Sequence, residues 1–509
     1  MTNNNLFAAL RAAFPAELDD VAIETDNGLA YSWRDLERAT AMMANLLGSL
    51  KLPAGARIAA HVDKSVEALM LYLATLRAGF VFLPLNPAYQ SAELDYFVGN
   101  ARPSVLVCAS KNHAWASPLA RQAGTSHVFT LNDDRTGTLL EHAARCSDQH
   151  KVAARQEGDL AVILYTSGTT GRSKGAMLSH GNMLSNARVL KEYWGWQPGD
   201  VLMHVLPIFH IHGLFVAVHG ALLNGSKMLW LAKFVPQRVL QKLPEATVFM
   251  GVPTMYVRLL AEAGLDHAAA RNIRLFVSGS APLLIDSFHA WQSRTGHTIL
   301  ERYGMSETVM LSSNLYAPDP RHGMQGERRG GTVGFALPGV SLRLHGESGT
   351  PVPAGEIGGI QVKGPNVFAG YWQMPEQTKS EFTDDGYFKT GDVGRFDQDG
   401  YLSIVGRSKD VIISGGFNVY PAEIEGYLNA LDGVEESAVV GVPDPDFGEV
   451  GVALVIAKAG VQLDPGHILA ALKGMLANFK IPKRCHVVAE LPRNAMGKVQ
   501  KNLLRTRFE

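Results

Sequence analysis

An alternation of texture constrains this chain more than any other feature. Over roughly the first three hundred residues, short apolar runs recur between stretches with helical spacing. RIAAHV (57–62) reads as a strand, and VEALMLYLATLRAG (66–79) follows at helical intervals and closes on a glycine. VFLPLN, PSVLVCA, HVFTLN, LAVILY, KMLWLA, TVFMGV and IRLFVSG continue the series. Parallel strands need a crossover connection, and a helix supplies it, so the pattern predicts βαβ units. Near residue 330 the helices drop out. GGTVGFALPGVSLRLHG, GEIGGIQVKG and DGYLSIVG are strands parted by Gly and Pro turns, which predicts a small antiparallel module. Beyond residue 406, AEIEGYLNAL, SAVVGVP, GVALVIA, HILAALKGMLANF and CHVVAE alternate helix and strand. The expected fold class is α/β: a large N-terminal region of βαβ layers plus the antiparallel module (1–406), then a smaller α+β domain (407–509).

Composition narrows the function classes. The chain has 509 residues, 46% hydrophobic and 19% charged, which are globular values. Its 47 Lys and Arg nearly cancel 48 Asp and Glu, leaving a net charge of -1. No global attraction to nucleic acid or to an anionic membrane follows, and neither is an expected partner. Glycine, at 51 residues, exceeds its usual share of about 7%, which suits an enzyme with many tight loops. Cys108, Cys146 and Cys485 are too scattered for a disulfide framework or a CxxC metal site, which favours a reducing compartment. The first twenty residues carry one base and three acids, unlike a signal or transit peptide, and no apolar run is long enough to span a bilayer. The expectation is a cytoplasmic protein.

The richest stretch is LAVILYTSGTTGRSKGAMLSHGNML (160–184). An apolar strand runs into a loop of Gly, Ser and Thr that ends at a lysine, and a helix is expected to follow directly. Glycines let backbone approach a phosphate, Thr166, Ser167, Thr169 and Thr170 supply hydroxyls, and Lys174 supplies charge. The spacing is not that of a Walker A loop, because two residues part Gly168 from Gly171 and Gly175 follows Lys174.

YTSGTTGRSKG closely resembles the signature of the adenylate-forming superfamily of acyl-CoA synthetases, peptide-synthetase adenylation domains and luciferases. Five further segments match that family's motifs in order: PIFHIHG (207–213), SGSAPL (278–283), YGMSET (303–308), YFKTGDVG (387–394) with GRSKDVIISGGFNVYP (406–421), and PRNAMGK (492–498). The resemblance spans nearly the whole chain and implies that the 407–509 domain is mobile. It also implies a two-step reaction. A carboxylate attacks the α-phosphate of ATP, giving an acyl-adenylate and pyrophosphate; the thiol of CoA then displaces AMP. Two anions meet in the first step, so cations and fixed donors should dominate catalysis.

By motif position the resemblance makes Lys498 the catalytic lysine and Glu307, with Thr166, the Mg2+ ligands. Gly279, Ser280 and Ala281 fall in its adenine-binding strand. Arg302, Tyr303, Gly304, Met305 and Ser306 belong to the nucleotide motif, with Tyr303 stacking on adenine. Asp392 takes the ribose hydroxyls, Arg407 supports ribose or phosphate, and Lys409 is the hinge. Gly415, Gly416 and Phe417 line the pantetheine tunnel, and His210 is an aromatic gate at the acyl site. Acetylation of Lys498 by a protein lysine acetyltransferase, which occurs in the family, would remove its charge.

Acyl specificity rests on Arg258, Arg302 and His210. Two guanidiniums at an acyl pocket would suit a second carboxylate, whereas a monocarboxylate would leave buried charge unpaired at a cost of about 3–5 kcal/mol. VPTMY-x-R, HxHGL and ERYGM resemble the malonyl-CoA synthetase branch, with methylmalonate as a further substrate. The competing assignment puts Arg258 on a helix surface and pairs Arg302 with Glu301. A short-chain or aryl acid–CoA ligase of the same mechanism, or a non-catalytic adenylate-binding relative, fits the same motifs. A peptide-synthetase adenylation domain fits less well, since no anchoring aspartate for an amino group is evident.

Overall fold

A computed structural model describes residues 3–166, 173–319, 327–346, 349–415, 417–473, 475–494 and 497–508. The chain divides into two compact units, Met1–Ser341 with Lys363–Phe382, and Leu342–Val362 with Thr383–Glu509.

The first unit carries two sheets built largely from the alternation. In the six-stranded sheet the order is His127–Thr130, Val105–Cys108, Arg57–His61, Val81–Pro84, Leu160–Thr166 and Lys174–Ser179. The first five are parallel and the last pair is antiparallel. The helix Val66–Arg77 is capped by Ser65, whose side chain accepts from the Ala68 amide, and is buried on every side. Such a helix must be apolar all round, and its two charged members are each paired. Glu67 accepts from the Tyr31 hydroxyl at 2.7 Å, and Arg77 donates to Glu37 at 3.0 Å.

The nine-stranded sheet runs Phe335–Ala336, Val309–Ser313, Ile299–Met305, Leu275–Ser278, Val248–Gly251, Val201–His204, Lys227–Trp230, Val21–Thr25 and Ala30–Ser32. Its central strands are parallel, so their carboxyl ends open on one side. The nucleotide-motif residues lie at those ends, where open α/β sheets bind ligands. LFVAVHGALL is a buried helical segment that begins as a π-turn over His212–Val218 and continues as His219–Asn224.

One local expectation is corrected. No helix follows the phosphate loop directly. Lys174–Ser179 is a strand in antiparallel register with Leu160–Thr166, pairing Thr166 with Lys174 and Ile163 with Met177. The helix His180–Tyr193 starts only where Ser179 and Asn182 form a reciprocal cap.

The second unit holds the antiparallel module, in the order Ser341–His345, Ile357–Lys363, Phe388–Phe396 and Leu402–Arg407. It also holds a five-stranded sheet, in which the long pair Val434–Asp444 and Gly448–Ala457 is flanked by Ile412–Ser414 and by the parallel strand Arg484–Val487. One face of that sheet packs the helices Pro421–Asn429 and Pro465–Lys473 through Ile424, Leu428, Ile468 and Leu472. Among the described residues no helix is long and apolar enough to cross a membrane.

Candidate active site

Thr166 ends one strand of a hairpin and faces Lys174 at the start of the next. The loop they frame includes Ser167, Gly168, Thr169, Thr170 and Gly171, which lie outside the described residues, as does Gly416. Lys174 is largely buried. Its ammonium donates to Glu381 Oε1 at 3.1 Å and lies 4.4 Å from the centroid of the Tyr371 ring. The Tyr371 hydroxyl donates to Glu307 Oε1 at 2.9 Å. One side chain thus joins the phosphate-loop lysine to the magnesium-motif glutamate.

The backbone fixes this arrangement. The Trp372 amide donates to the Gly175 carbonyl at 2.7 Å, and the Phe368 amide to the Glu307 carbonyl at 2.8 Å. Asn366, fully buried, donates to the carbonyls of Thr308 and Met310. Residues 366–372 therefore stitch the hairpin to the 303–310 turn. Sequence reasoning missed Tyr371, Glu381 and Asn366. The cue was the Gly-aromatic run FAGYW, which has neither strand nor helix period.

Glu307 is buried at a tight turn. The Thr308 amide donates to the Met305 carbonyl at 3.0 Å, and Val309 has φ 52°, a strained value for a β-branched residue. Gly304 must be glycine, because a Cβ there would lie 1.9 Å from the Val309 carbonyl oxygen. Tyr303, Met305 and Ser306 are half-buried beside it. A buried carboxylate is a hard-oxygen donor that suits Mg2+ held mostly by phosphate oxygens. Among the described residues no group of three or more His, Cys, Asp and Glu converges on a metal site, so the nucleotide would supply the remaining ligands.

Arg302 is the unusual residue. It is 3% exposed, and its Nε and Nη2 have no hydrogen-bond partner among the described residues. Burial pulls its pKa down to about 9, with Tyr256 opposing. Glu301 does not pair with it, because adjacent strand residues point to opposite faces. The Glu301 carboxyl instead accepts from the Gly331 amide at 3.1 Å, and burial raises its pKa to about 8. His210 is held near 4 by burial and by the charge of Arg302, so it is a neutral ring at pH 7. His212 is pushed down for the same reasons, and its Nδ1 lies 3.4 Å from the Ser280 hydroxyl. Ser280 adopts φ 74°, and Ala281 next to it is half-buried.

Of the two arginines expected at the acyl site, only Arg302 is buried. Arg258 is exposed on the helix Pro253–Leu260, whose buried face carries Tyr256 and Leu259. Two residues past Tyr256 is about 200° round the helix, which turns Arg258 away from the side that meets the sheet.

In the second unit, Asp392 is buried and accepts from Arg407 Nε at 2.7 Å, in strand register with it. Lys409 is exposed in the single turn Ser408–Asp410. The Gly415 amide donates to the Phe447 carbonyl at 2.8 Å. Phe417, 57% exposed, stacks on Phe479 with centroids 4.6 Å apart. The Lys498 side chain reaches solvent, yet the protein packed around it and the Arg407 guanidinium lower its pKa, while Asp392 and Asp410 oppose them.

The family model "AMP-binding enzyme" matches residues 11–372, and "AMP-binding enzyme C-terminal domain" matches 423–498. A malonate–CoA ligase of Arabidopsis thaliana is 35% identical, with 100% of this chain and 90% of that one covered. A feruloyl-CoA synthase of an Amycolatopsis species is also 35% identical, with 94% of each covered. The crystal structure of ATP-bound MatB from Rhodopseudomonas palustris superposes with a TM-score of 0.96 at 50% identity, over 100% of this chain and 99% of that one.

Proposed function

The chain belongs to the AMP-binding enzyme family, and from that premise we propose that it is an ATP-dependent malonate–CoA ligase acting through a malonyl-adenylate. The observation that carries the substrate is Arg302, a buried guanidinium with two nitrogens that find no partner among the described residues. A buried cation without a counter-ion is costly, and an acid with a second carboxylate supplies one. Methylmalonate, one methyl larger, is an expected second substrate, since a methyl group changes binding by only about 1–3 kcal/mol.

In the first step a carboxylate oxygen of malonate attacks the α-phosphorus of ATP, the bond to the β-phosphate oxygen breaks, and pyrophosphate leaves. Lys174 and the phosphate-loop hydroxyls balance the departing charge, and Lys498 balances the charge where the two anions meet. Mg2+, when bound, neutralises phosphate charge; Glu307 and Thr166 would hold it, and Tyr371 orients Glu307. Tyr303, Ser280 and Ala281 are assigned to the adenine, and Asp392, braced by Arg407, to the ribose hydroxyls. His210, neutral at pH 7, closes the acyl side without adding charge. In the second step the CoA sulfur attacks the malonyl carbonyl carbon and AMP leaves. In this reading residues 407–509 carry Lys498 as a mobile domain, Lys409 is its hinge, and the Gly415–Phe417 loop serves the thioester step. Acetylation of Lys498 by a protein lysine acetyltransferase would stop the first step. Three scattered cysteines suit a cytoplasmic setting.

CoA-dependent AMP release with malonate, methylmalonate, acetate, butyrate and benzoate tests the proposal. Malonate should be turned over first and fastest. Faster turnover of butyrate or benzoate would move the protein to a short-chain or aryl acid–CoA ligase, in line with the feruloyl-CoA synthase likeness.

A further inference from the structure

We infer that Gly279 is a specificity-determining position: the missing side chain there makes the room in which the Arg302 guanidinium lies. The inference rests on the dicarboxylate reading above and reassigns a glycine that its motif gives to adenine.

The neighbouring strands dictate the contact. Ser278, the last residue of its strand, pairs with Glu301 in parallel register, so Gly279 leaves the strand end beside Arg302. A Cβ built on Gly279 would lie 2.5 Å from Arg302 Cζ, 2.5 Å from Nη1 and 2.7 Å from Nε, and these are the three nearest atoms it would meet. No real Cβ approaches other atoms so closely. The backbone does not require glycine here, because Gly279 is absent from the residues with positive φ. Gly304 is the contrast: its Cβ would strike a backbone carbonyl, so the fold itself forbids a side chain. At Gly279 the obstacle is the far end of a long side chain, which can swing aside. Alanine at 279 should therefore fold, and should move the guanidinium.

The displacement matters because of the environment. Arg302 is buried, its Nε and Nη2 without a partner among the described residues, and bidentate recognition of a carboxylate by a guanidinium fork depends on its plane and position. A shift of about 1 Å breaks such a fork. Gly279 and Arg302 then behave as one unit: the glycine has its effect only while the arginine is present. Any small side chain at 279 is expected to weaken dicarboxylate selection even though it touches no acid itself.

The test is a double-mutant cycle on Gly279→Ala and Arg302→Ala, reading kcat/KM for malonate over that for acetate, with KM for ATP measured using acetate. The expected result is a selectivity loss of about tenfold or more for Gly279→Ala and a larger loss for Arg302→Ala. The double variant should match Arg302→Ala alone. If Arg302→Ala lowers selectivity and Gly279→Ala does not, the inference fails and the malonate reading stands. If Arg302→Ala itself leaves selectivity unchanged, that reading falls and takes the inference with it. A rise in KM for ATP with acetate in Gly279→Ala, without a selectivity loss, overturns the inference in favour of a nucleotide role. Should Gly279→Ala fail to fold, the double variant decides. Folding with the selectivity of Arg302→Ala supports the inference, because removing the guanidinium has restored the room; failure to fold overturns it.

Discussion

Replacing Arg302 by methionine tests the energetics most sharply, because burial and charge act in opposite senses with and without substrate. The guanidinium is 3% exposed and held near pKa 9 by burial. Relative to an arginine in water that is roughly three to four decades, and at 1.36 kcal/mol per decade the folded protein carries a penalty on the order of 4–5 kcal/mol. Methionine fills similar apolar volume without charge, and replacing buried charge by a packed apolar residue is often neutral or stabilising by about 1–4 kcal/mol. The ligand-free variant should therefore melt at or above the wild-type temperature. With malonate the sign reverses. An unpaired second carboxylate beside an apolar residue costs about 3–5 kcal/mol, so kcat/KM for malonate should fall by about two to four orders of magnitude. Acetate should lose little or gain. Arg258→Met, on the exposed face of its helix, should leave the malonate-to-acetate ratio where it was. Thermal melting and AMP release on the three proteins give the answer. A fall in melting temperature, or equal losses for malonate and acetate in Arg302→Met, would refute the reasoning.

Three other outcomes are expected. The Glu301 pKa is raised to about 8, so the folded state keeps a proton that the unfolded chain has lost, and wild-type stability should decline as pH rises from about 4.5 to 8. In Glu301→Gln that decline should flatten, and an unchanged slope in melts across that range would contradict it. Lys498→Ala should abolish ATP–pyrophosphate exchange yet spare thioester formation from supplied malonyl-adenylate; equal loss of both steps would remove the assigned role. Tyr371→Phe keeps the ring against Lys174 but removes the hydroxyl that donates to Glu307. The Mg2+ concentration for half-maximal activity should rise about tenfold or more, and an unchanged Mg2+ titration would show that the hydroxyl does not orient Glu307.

Chemistry carried by short contiguous strings was legible without coordinates. The strand LAVILY before the phosphate loop is one such string, and it fixes its own backbone. What could not be read depends on phase or on partners far along the chain. Arg258 was misplaced because an apolar helix context does not say which residues face inward; one step of 100° separates a pocket from a surface. Lys174 fell on a strand because KGAMLS pairs with the preceding strand, and a six-residue run suits either period. Tyr371 lies nearly two hundred residues from Lys174, and only strand pairing across that gap reveals the link. Gly279 sits in a string whose glycine the resemblance gives to the nucleotide, yet the atoms nearest a Cβ there belong to Arg302 on the next strand. The texture break at 406/407 and the compact-unit breaks at 341/342, 362/363 and 382/383 answer different questions: one follows a change in pattern, the other follows packing.

The most direct measurement of the central claim compares malonate with malonamate in ATP–pyrophosphate exchange. Malonamate keeps the size and the reacting carboxylate but replaces the second carboxylate with a neutral amide. If Arg302 recognises that second charge, kcat/KM for malonamate should fall about a hundredfold or more below malonate in the wild type. The gap should close in Arg302→Met. Equal exchange with both acids in the wild type would contradict the account, because it would mean that the buried guanidinium does not read the second carboxylate.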